Sequence, residues 1–214
     1  DHRDSRTPNT ALTFMAYPKE EPVISGGAVI KGKWTRGDDN VWSIEVGGKV
    51  WIQDLFINGE RAPRARAPNV DHYNAVAVGK SKRQFDYRGD ELAAWPDASS
   101  GVIVIYPYEW CDFHLPIKSI DAKTRRVTLA RACGYPLVSG GYGSDGEYHV
   151  ENVRAAIDRP GEWCHDKSTG LLHLMPPEDV EPNKAEVVAA RLPLLISLTG
   201  DAKKDRWVEH VNFQ

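Results

Sequence analysis

Three arginines crowd the stretch NGERAPRARAPN, Asn58 to Asn69, where Arg61, Arg64 and Arg66 are separated only by Ala and Pro. A guanidinium is a planar fork of donors that matches a carboxylate, whether on a ligand or on a side chain of the same protein. Among the carboxylates, Glu162 in PGEW follows a turn and precedes Trp163, an aromatic able to desolvate it and raise its pKa as a general acid requires. Asp166, Glu151 and Glu109, beside Trp110, are the other acid candidates. Each also suits a plainer task, capping a turn or pairing with an arginine.

Other apparent motifs carry less. The triplet CHD, Cys164 to Asp166, suggests a nucleophile or a metal, but neighbours on a strand point to opposite faces and cannot converge on one atom. Cys111, Cys133 and Cys164 show no C-x-x-C spacing, fit neither a disulfide framework nor a zinc site, and allow at most one bridge. The glycines of SGGYGSDG, Ser139 to Gly146, are not followed by Gly-Lys-Ser/Thr and predict a surface loop, not a phosphate cradle. No metal or other cofactor is expected.

The whole-chain balance narrows the partners. With 27 basic against 30 acidic residues, the 214-residue chain does not suit a protein whose affinity rests on neutralising phosphates, so nucleic acid is not expected. The apolar runs GVIVIYPYEW and RLPLLISLTG are too short for a bilayer and broken by Pro or charge, so no membrane partner is expected. The first ten residues have no signal-peptide pattern, which leaves the address open or points to a trimmed N-terminus.

The elements that must position these groups are strands. ALTFMAY, PVISGGAVI, VWSIEV, KVWIQDLFI, GVIVIYPY, RRVTLARA, GLLHLMP, AEVVAA and LLISLTG are short runs rich in Val, Ile, Thr and aromatics, bounded by turn residues, and predict an all-β chain. Helical spacing is confined to Asp90 to Trp95 and Val150 to Asp158. Asn58-Gly59 between an apolar and a charged run predicts a type I′ hairpin, with Arg61 opening the return strand. Beyond it Arg64 and Arg66, two apart, are expected to share a face, while Pro63 and Pro68 demand an irregular edge or rim.

These residues carry a resemblance. LFINGERAPRARAPN, with YHVENVRAAIDRPGEWCHDKSTGLLHLMP some eighty residues later, resembles the bacterial right-handed parallel β-helix proteins related to glycoside hydrolase family 141. There a hairpin L-F-V-N-G-x-R precedes R-A-R-x-P-N, then E-N, P-G-E-W, D and a strand ending in Pro. The matching elements here are Leu55 to Asn69, Glu151-Asn152, Pro160 to Trp163, Asp166 and Leu171 to Pro176; WCHD departs from the more usual aromatic after the Trp. The resemblance implies β-helix strands over 1–32 and, truncated, over 190–214, flanking a β-rich insertion module of sandwich or barrel kind over 33–189. Stacked coils need several neighbours to bury their apolar faces. The remaining coils of the parent chain are therefore expected as partners, with much of the helix outside this chain.

The resemblance further implies a secreted or periplasmic carbohydrate-active enzyme, with a glycoside hydrolase of plant-wall or other complex polysaccharide first. Such an enzyme uses two carboxyl groups flanking a sugar; Glu162 and Asp166 are the candidates within the chain. The family's acids, however, are expected on later coils, leaving this chain alone inactive. Arg61, Arg64, Arg66, Asn69, Trp110 and Trp163 are the candidate substrate-binding residues, with Trp95, Tyr106 and Tyr108 as further stacking surfaces for an acidic oligosaccharide. The competing role of Arg64 and Arg66 is a strut, tied to Glu151, Glu162 or Asp166. A polysaccharide lyase, or a non-catalytic glycan-binding or structural module, is the alternative.

Overall fold

The computed structural model describes the chain apart from Trp51, Ala93, Ala94, Pro96, Asp97 and residues 140–145, and apart from the side chain of Ser99. Of the expected loop at SGGYGSDG only Ser139 and Gly146 are described; of the expected helix at DELAAW, Ala93 and Ala94 lie outside the described residues, while Asp90 to Leu92 make a bend and turn instead of a helix. The rest is all-β, as the alternation predicts. In chain order the strands are β1 (Leu12–Phe14), β2 (Gly27–Val29), β3 (Thr35–Arg36), β4 (Trp42–Glu45), β5 (Leu55–Ile57) and β6 (Glu60–Ala62). Then come β7 (Arg66–Ala67), β8 (Tyr73–Asn74), β9 (Val76–Ala77), β10 (Gln84–Asp86), β11 (Val102–Tyr108) and β12 (Cys111–Asp121). The last six are β13 (Arg126–Leu129), β14 (Glu147–Glu151), β15 (Trp163–Asp166), β16 (Leu171–Leu174), β17 (Val187–Ala190) and β18 (Val211–Phe213).

Two compact units divide the chain, one of residues 1–28 with 190–214 and one of residues 29–189. In the first, β1 and β18 run parallel with Leu12 opposite Val211 and Phe14 opposite Phe213, and the two Phe rings stack at 5.2 Å. Val23, Leu192, Leu194 and Leu198 leave more than half of their surface exposed. The expected strand LLISLTG does not form: Leu194 to Gly200 is irregular, so its β-branched and apolar content was not enough without a ladder to join.

The second unit is built on a long sheet in the order β7–β14–β11–β12–β13–β10–β9, with β8 also paired to β14. Its strands are antiparallel, and the pleat sends Ile103 and Ile105 of β11, Leu115 and Ile117 of β12, and Tyr148 and Val150 of β14 into one core with Phe85 and Leu129. A second core, around Trp34, Leu55, Trp163, Leu172 and Leu174, lies beneath the antiparallel strands β15–β16–β4–β3 and the β17–β5–β6 ladder. At roughly 2 kcal/mol for each fully buried large apolar side chain, these two clusters supply the main drive to fold.

The predicted hairpin is present between β5 and β6: Asn58 and Gly59 have φ of 50° and 85°, the two positive values of a type I′ turn. The Asn58 backbone also holds β17, its N–H donating to the Glu186 carbonyl at 2.8 Å while its Oδ1 accepts the Glu186 N–H at 2.9 Å. The short β7 sits at the edge of the long sheet, as Pro63 and Pro68 require.

The expected helix over Val150 to Asp158 is a correction. Val150 and Glu151 complete β14, Asn152 turns the chain at φ 63°, and only Arg154–Ala156 makes a 3-10 turn. The three-and-four spacing of Val150, Val153 and Ile157 serves the core from a strand and a bend instead. The longest strand, β12, carries no apolar run, because its outer positions Asp112, His114 and Pro116 are exposed and interrupt the inner ones. Pro116 is tolerated since its carbonyl alone is needed there, accepting from Ala130 N–H at 2.8 Å.

Candidate functional site

Where the end of the long sheet meets the segment after the hairpin, the second unit opens a cleft of about 880 Å³. One wall is Ile52 to Asp54 with Arg61 to Arg64; the other is Val102, His114, Pro116, Arg131 and Glu151, with Trp163, His165 and Lys167 between. The first wall is fixed by backbone pairing: Trp163 N–H donates to the Pro63 carbonyl at 3.2 Å, and Ala65 N–H to the Trp163 carbonyl at 2.8 Å. That parallel bridge between Arg64 and Trp163 lays the Arg64 guanidinium over the indole, 4.7 Å from its centroid. The indole N–H, in turn, donates to the Ala62 carbonyl at 3.0 Å, so the buried Trp has no unmet donor.

Arg64 is half-buried, its Nη2 donating to the carbonyls of Ile52, at 3.2 Å, and Gln53. Burial pulls its pKa down, while the charges of Glu151 and Asp54 oppose this. Arg61 is exposed at the mouth and its Nε donates to Asp54 Oδ1 at 3.0 Å. Arg131 donates to the His114 carbonyl at 2.6 Å, and Lys167 is pushed down by desolvation and then by the like charge of Arg64. Cations thus outnumber carboxylates here, with Arg61, Arg64, Arg131 and Lys167 facing Asp54 and Glu151.

Glu151 is the half-buried carboxylate of the cleft. Burial works to raise its pKa, but a hydrogen bond from His149 and the charges of His149, Arg64 and His114 outweigh it and hold the group low. The His149 Nε2 donates to Glu151 Oε1 at 3.2 Å, and its Nδ1 is buried without a partner. His165 behaves in the same way: Nε2 donates to the Gly47 carbonyl at 3.2 Å, leaving Nδ1 as a buried acceptor with no donor, and burial pushes its pKa down. A neutral imidazole is therefore held beside the cations.

Asn152 is the residue that joins these parts, and the sequence offered only its place in the E-N pair. Its Nδ2 donates to the Ser100 and His165 carbonyls at 2.8 and 2.9 Å, and its Oδ1 accepts the His165 N–H at 2.8 Å. A 4% exposed amide using three of its hydrogen-bonding positions locks β14 to β15.

Of the sequence candidates, Arg61, Arg64, Trp163 and Glu151 come together in this cleft; Arg66, Asn69, Trp110, Glu162 and Asp166 do not line it. Arg66 pairs with Glu151 across β7 and β14, and its Nη2 reaches the Asp71 carbonyl at 2.6 Å while Nε is buried without a partner. Asn69 donates to Asp158 at 2.7 Å, and Trp110 stands at the tip of the β11–β12 hairpin. Glu162 is buried and accepts the N–H groups of Asp158 and Arg159 at 2.9 and 3.1 Å, capping the turn. Its pKa is raised by burial, as expected of an acid, yet its carboxylate is committed to backbone.

Asp166 is likewise occupied. Burial would raise it, but Ser100, Ser168 and Thr169 hydroxyls and the Ser168 N–H donate to it at 2.6 to 2.8 Å and hold it well below the usual carboxylate range. Of the three expected strut partners, Glu162 and Asp166 are taken by backbone and hydroxyl donors; Glu151 acts on Arg64 through its charge and stands opposite Arg66 on the ladder, while the hydrogen bonds of Arg64 go to main-chain carbonyls. None of the three cysteines is in a disulfide among the described residues; Cys164 packs into the first core while His165 lines the cleft, so the CHD triplet does not converge.

No family model matches the chain, and no curated protein does. A solved structure described as "Glycoside hydrolase" is similar to the whole of it, with a TM-score of 0.80 and 22% identity. The chain spans 39% of the length of that structure. The likeness shows an all-β fold held in common with part of a protein so described.

Proposed function

We propose that the chain is part of a carbohydrate-active protein of the glycoside hydrolase kind and that its cleft holds an acidic sugar. The observation that carries this is the cation surplus over an apolar floor: Arg64, Arg131 and Lys167 stand with Trp163, Val102 and Pro116, a composition suited to a uronate carboxylate and a sugar ring face. The fold held in common with a structure described as a glycoside hydrolase supports the broad class.

Hydrolysis asks for two carboxyl groups flanking the scissile bond, one of them protonated. In the cleft, Asp54 is tied to Arg61 and Glu151 is held ionised by its neighbours, so neither suits a proton donor. The proposed catalytic acids therefore lie on β-helix coils outside these 214 residues. The parallel β1–β18 pair, with Phe14 stacked on Phe213 and apolar side chains exposed around it, supports that reading, because a coil buries its apolar face only against stacked neighbours. A secreted or periplasmic setting follows for a polymeric substrate.

Lys167 favours a second reading. Exposed in the cleft and pushed down in pKa by desolvation and by Arg64, it offers the base, and Arg64 the uronate-neutralising charge, that a polysaccharide lyase combines. One assay separates the two: the full-length protein with polygalacturonate and with neutral plant-wall polysaccharides, following reducing ends and ultraviolet absorbance together. Reducing ends without absorbance support hydrolysis, whereas absorbance supports elimination. Binding of acidic glycan with neither supports a non-catalytic module, and no binding to any of them overturns the carbohydrate reading.

A further inference from the structure

Among the described residues, Arg64 and Arg131 line the cleft without forming an ion pair. The carboxylates of the cleft are engaged elsewhere, Asp54 Oδ1 with Arg61 Nε at 3.0 Å and Glu151 Oε1 with His149 Nε2 at 3.2 Å. Arg64 gives its hydrogen bonds to the Ile52 and Gln53 carbonyls, and Arg131 gives Nη2 to the His114 carbonyl at 2.6 Å. Carbonyls satisfy donors without cancelling charge. A half-buried guanidinium such as Arg64 therefore keeps a desolvation cost that an arriving carboxylate offsets.

The two guanidinium groups belong to opposite ends of one row across the long sheet. Val102 of β11 faces Glu151 of β14 on one side and Pro116 of β12 on the other, and the Ala130 N–H donates to the Pro116 carbonyl at 2.8 Å. At the β14 end the Asn152 N–H donates to the Ala65 carbonyl at 3.0 Å, which sets Arg64 beside Glu151. At the other end Arg131 directly follows Ala130, and its guanidinium rests on the β12 backbone. β14 and β12 are two strand spacings apart, about 10 Å. Between them the cleft presents the apolar surfaces of Val102 and Pro116.

We infer that the cleft is a two-pole site for an oligouronide: one carboxylate pairs with Arg64, a second pairs with Arg131, and the sugar rings between them lie on Val102 and Pro116. A single uronate has one carboxylate and fills one pole. The ligand therefore carries at least two acidic units and reaches across β11. The inference rests on the cleft reading above and adds to it the spacing of the ligand's charges and its direction, across the strands.

The test is titration calorimetry of the full-length protein with galacturonate, trigalacturonate and the fully methyl-esterified trimer, for wild type, Arg131→Gln and Arg131→Lys. Arg131 is exposed, Gln keeps an amide donor for the His114 carbonyl, and thermal melting within a few degrees of wild type checks folding. Wild type is expected to bind the trimer about 10-fold or more tightly than the monomer, the worth of one charge-assisted contact, and the ester without that advantage. In Arg131→Gln the trimer's advantage falls below about 2-fold while the monomer binds as before, and Arg131→Lys restores part of it. Wild type that binds monomer and trimer alike overturns the second pole without any variant. So does an advantage that survives Arg131→Gln, or an equal weakening of both ligands by it, and each of these spares the cleft. No binding of galacturonate or its trimer by wild type overturns the cleft reading itself.

Discussion

The Arg64 guanidinium lies 4.7 Å over the Trp163 ring while the indole N–H donates to the Ala62 carbonyl, two residues before that arginine. One aromatic thus anchors the chain leaving the hairpin twice, by its edge and by its face. Arg64→Ala removes the cation–π contact and the bonds to the Ile52 and Gln53 carbonyls, and should cost about 1–3 kcal/mol of stability. Arg64→Lys should recover less than half of this, because an ammonium lacks the planar fork. Urea unfolding of the two variants checks both statements.

Asn152→Ala is expected to be the more damaging change. It leaves the His165 N–H and two carbonyls unpaired in a buried place, although it removes a side chain at the surface of neither core, and should cost about 3 kcal/mol or more. Asn152→Asp keeps the acceptor and loses the donors, and also sets a charge near Glu151. It should melt no higher than the alanine variant.

Asp166 gives stability a pH dependence of known sign. Its folded pKa lies below the ordinary 3.8, so the folded form binds its proton less readily than the unfolded one. The contribution is present above pH 4 and is lost as pH falls through the folded value, an effect of about 2 kcal/mol or more. Asp166→Asn should flatten this acid limb in unfolding measured from pH 6 to pH 2, while lowering stability at pH 6.

Glu162 provides the contrary test. Burial raises its pKa, so the charged form is disfavoured in the fold and stability is regained as pH falls through that raised value. Glu162→Gln keeps an oxygen for the Asp158 and Arg159 N–H groups without the buried charge. Melting at pH 7 should change by less than about 1 kcal/mol, and the activity of the full-length protein should stay within about 2-fold, where removing a general acid would cost roughly 100-fold or more.

The hairpin turn is the simplest case. Gly59, at φ 85°, should lose about 1–2 kcal/mol on replacement by Val, and Asn58→Ala should lose a comparable amount with its bond to Glu186. Thermal unfolding reports both.

Local rules were enough for the all-β class and for the Asn58-Gly59 turn, since a period of two and positive φ depend on neighbouring residues alone. They failed wherever distant chain decided the outcome. Cys111–Asp121 hides a strand because its outer positions are polar, and Val150 to Asp158 mimics a helix because a strand and a bend happen to bury residues at helical spacing. The candidate site divides in the same way. Arg61, Arg64 and Trp163 could be named from residue type and motif, but Lys167, Arg131, His165 and Asn152 join them only through contacts spanning some tens of residues. Sequence could also nominate Glu162 and Asp166 as acids, because carboxylates beside an aromatic or a turn look alike whatever they bind. Only the tertiary structure shows main-chain N–H groups and hydroxyls filling their lone pairs, since hydrogen-bond partners are set by where backbones meet in space and not by their order along the chain.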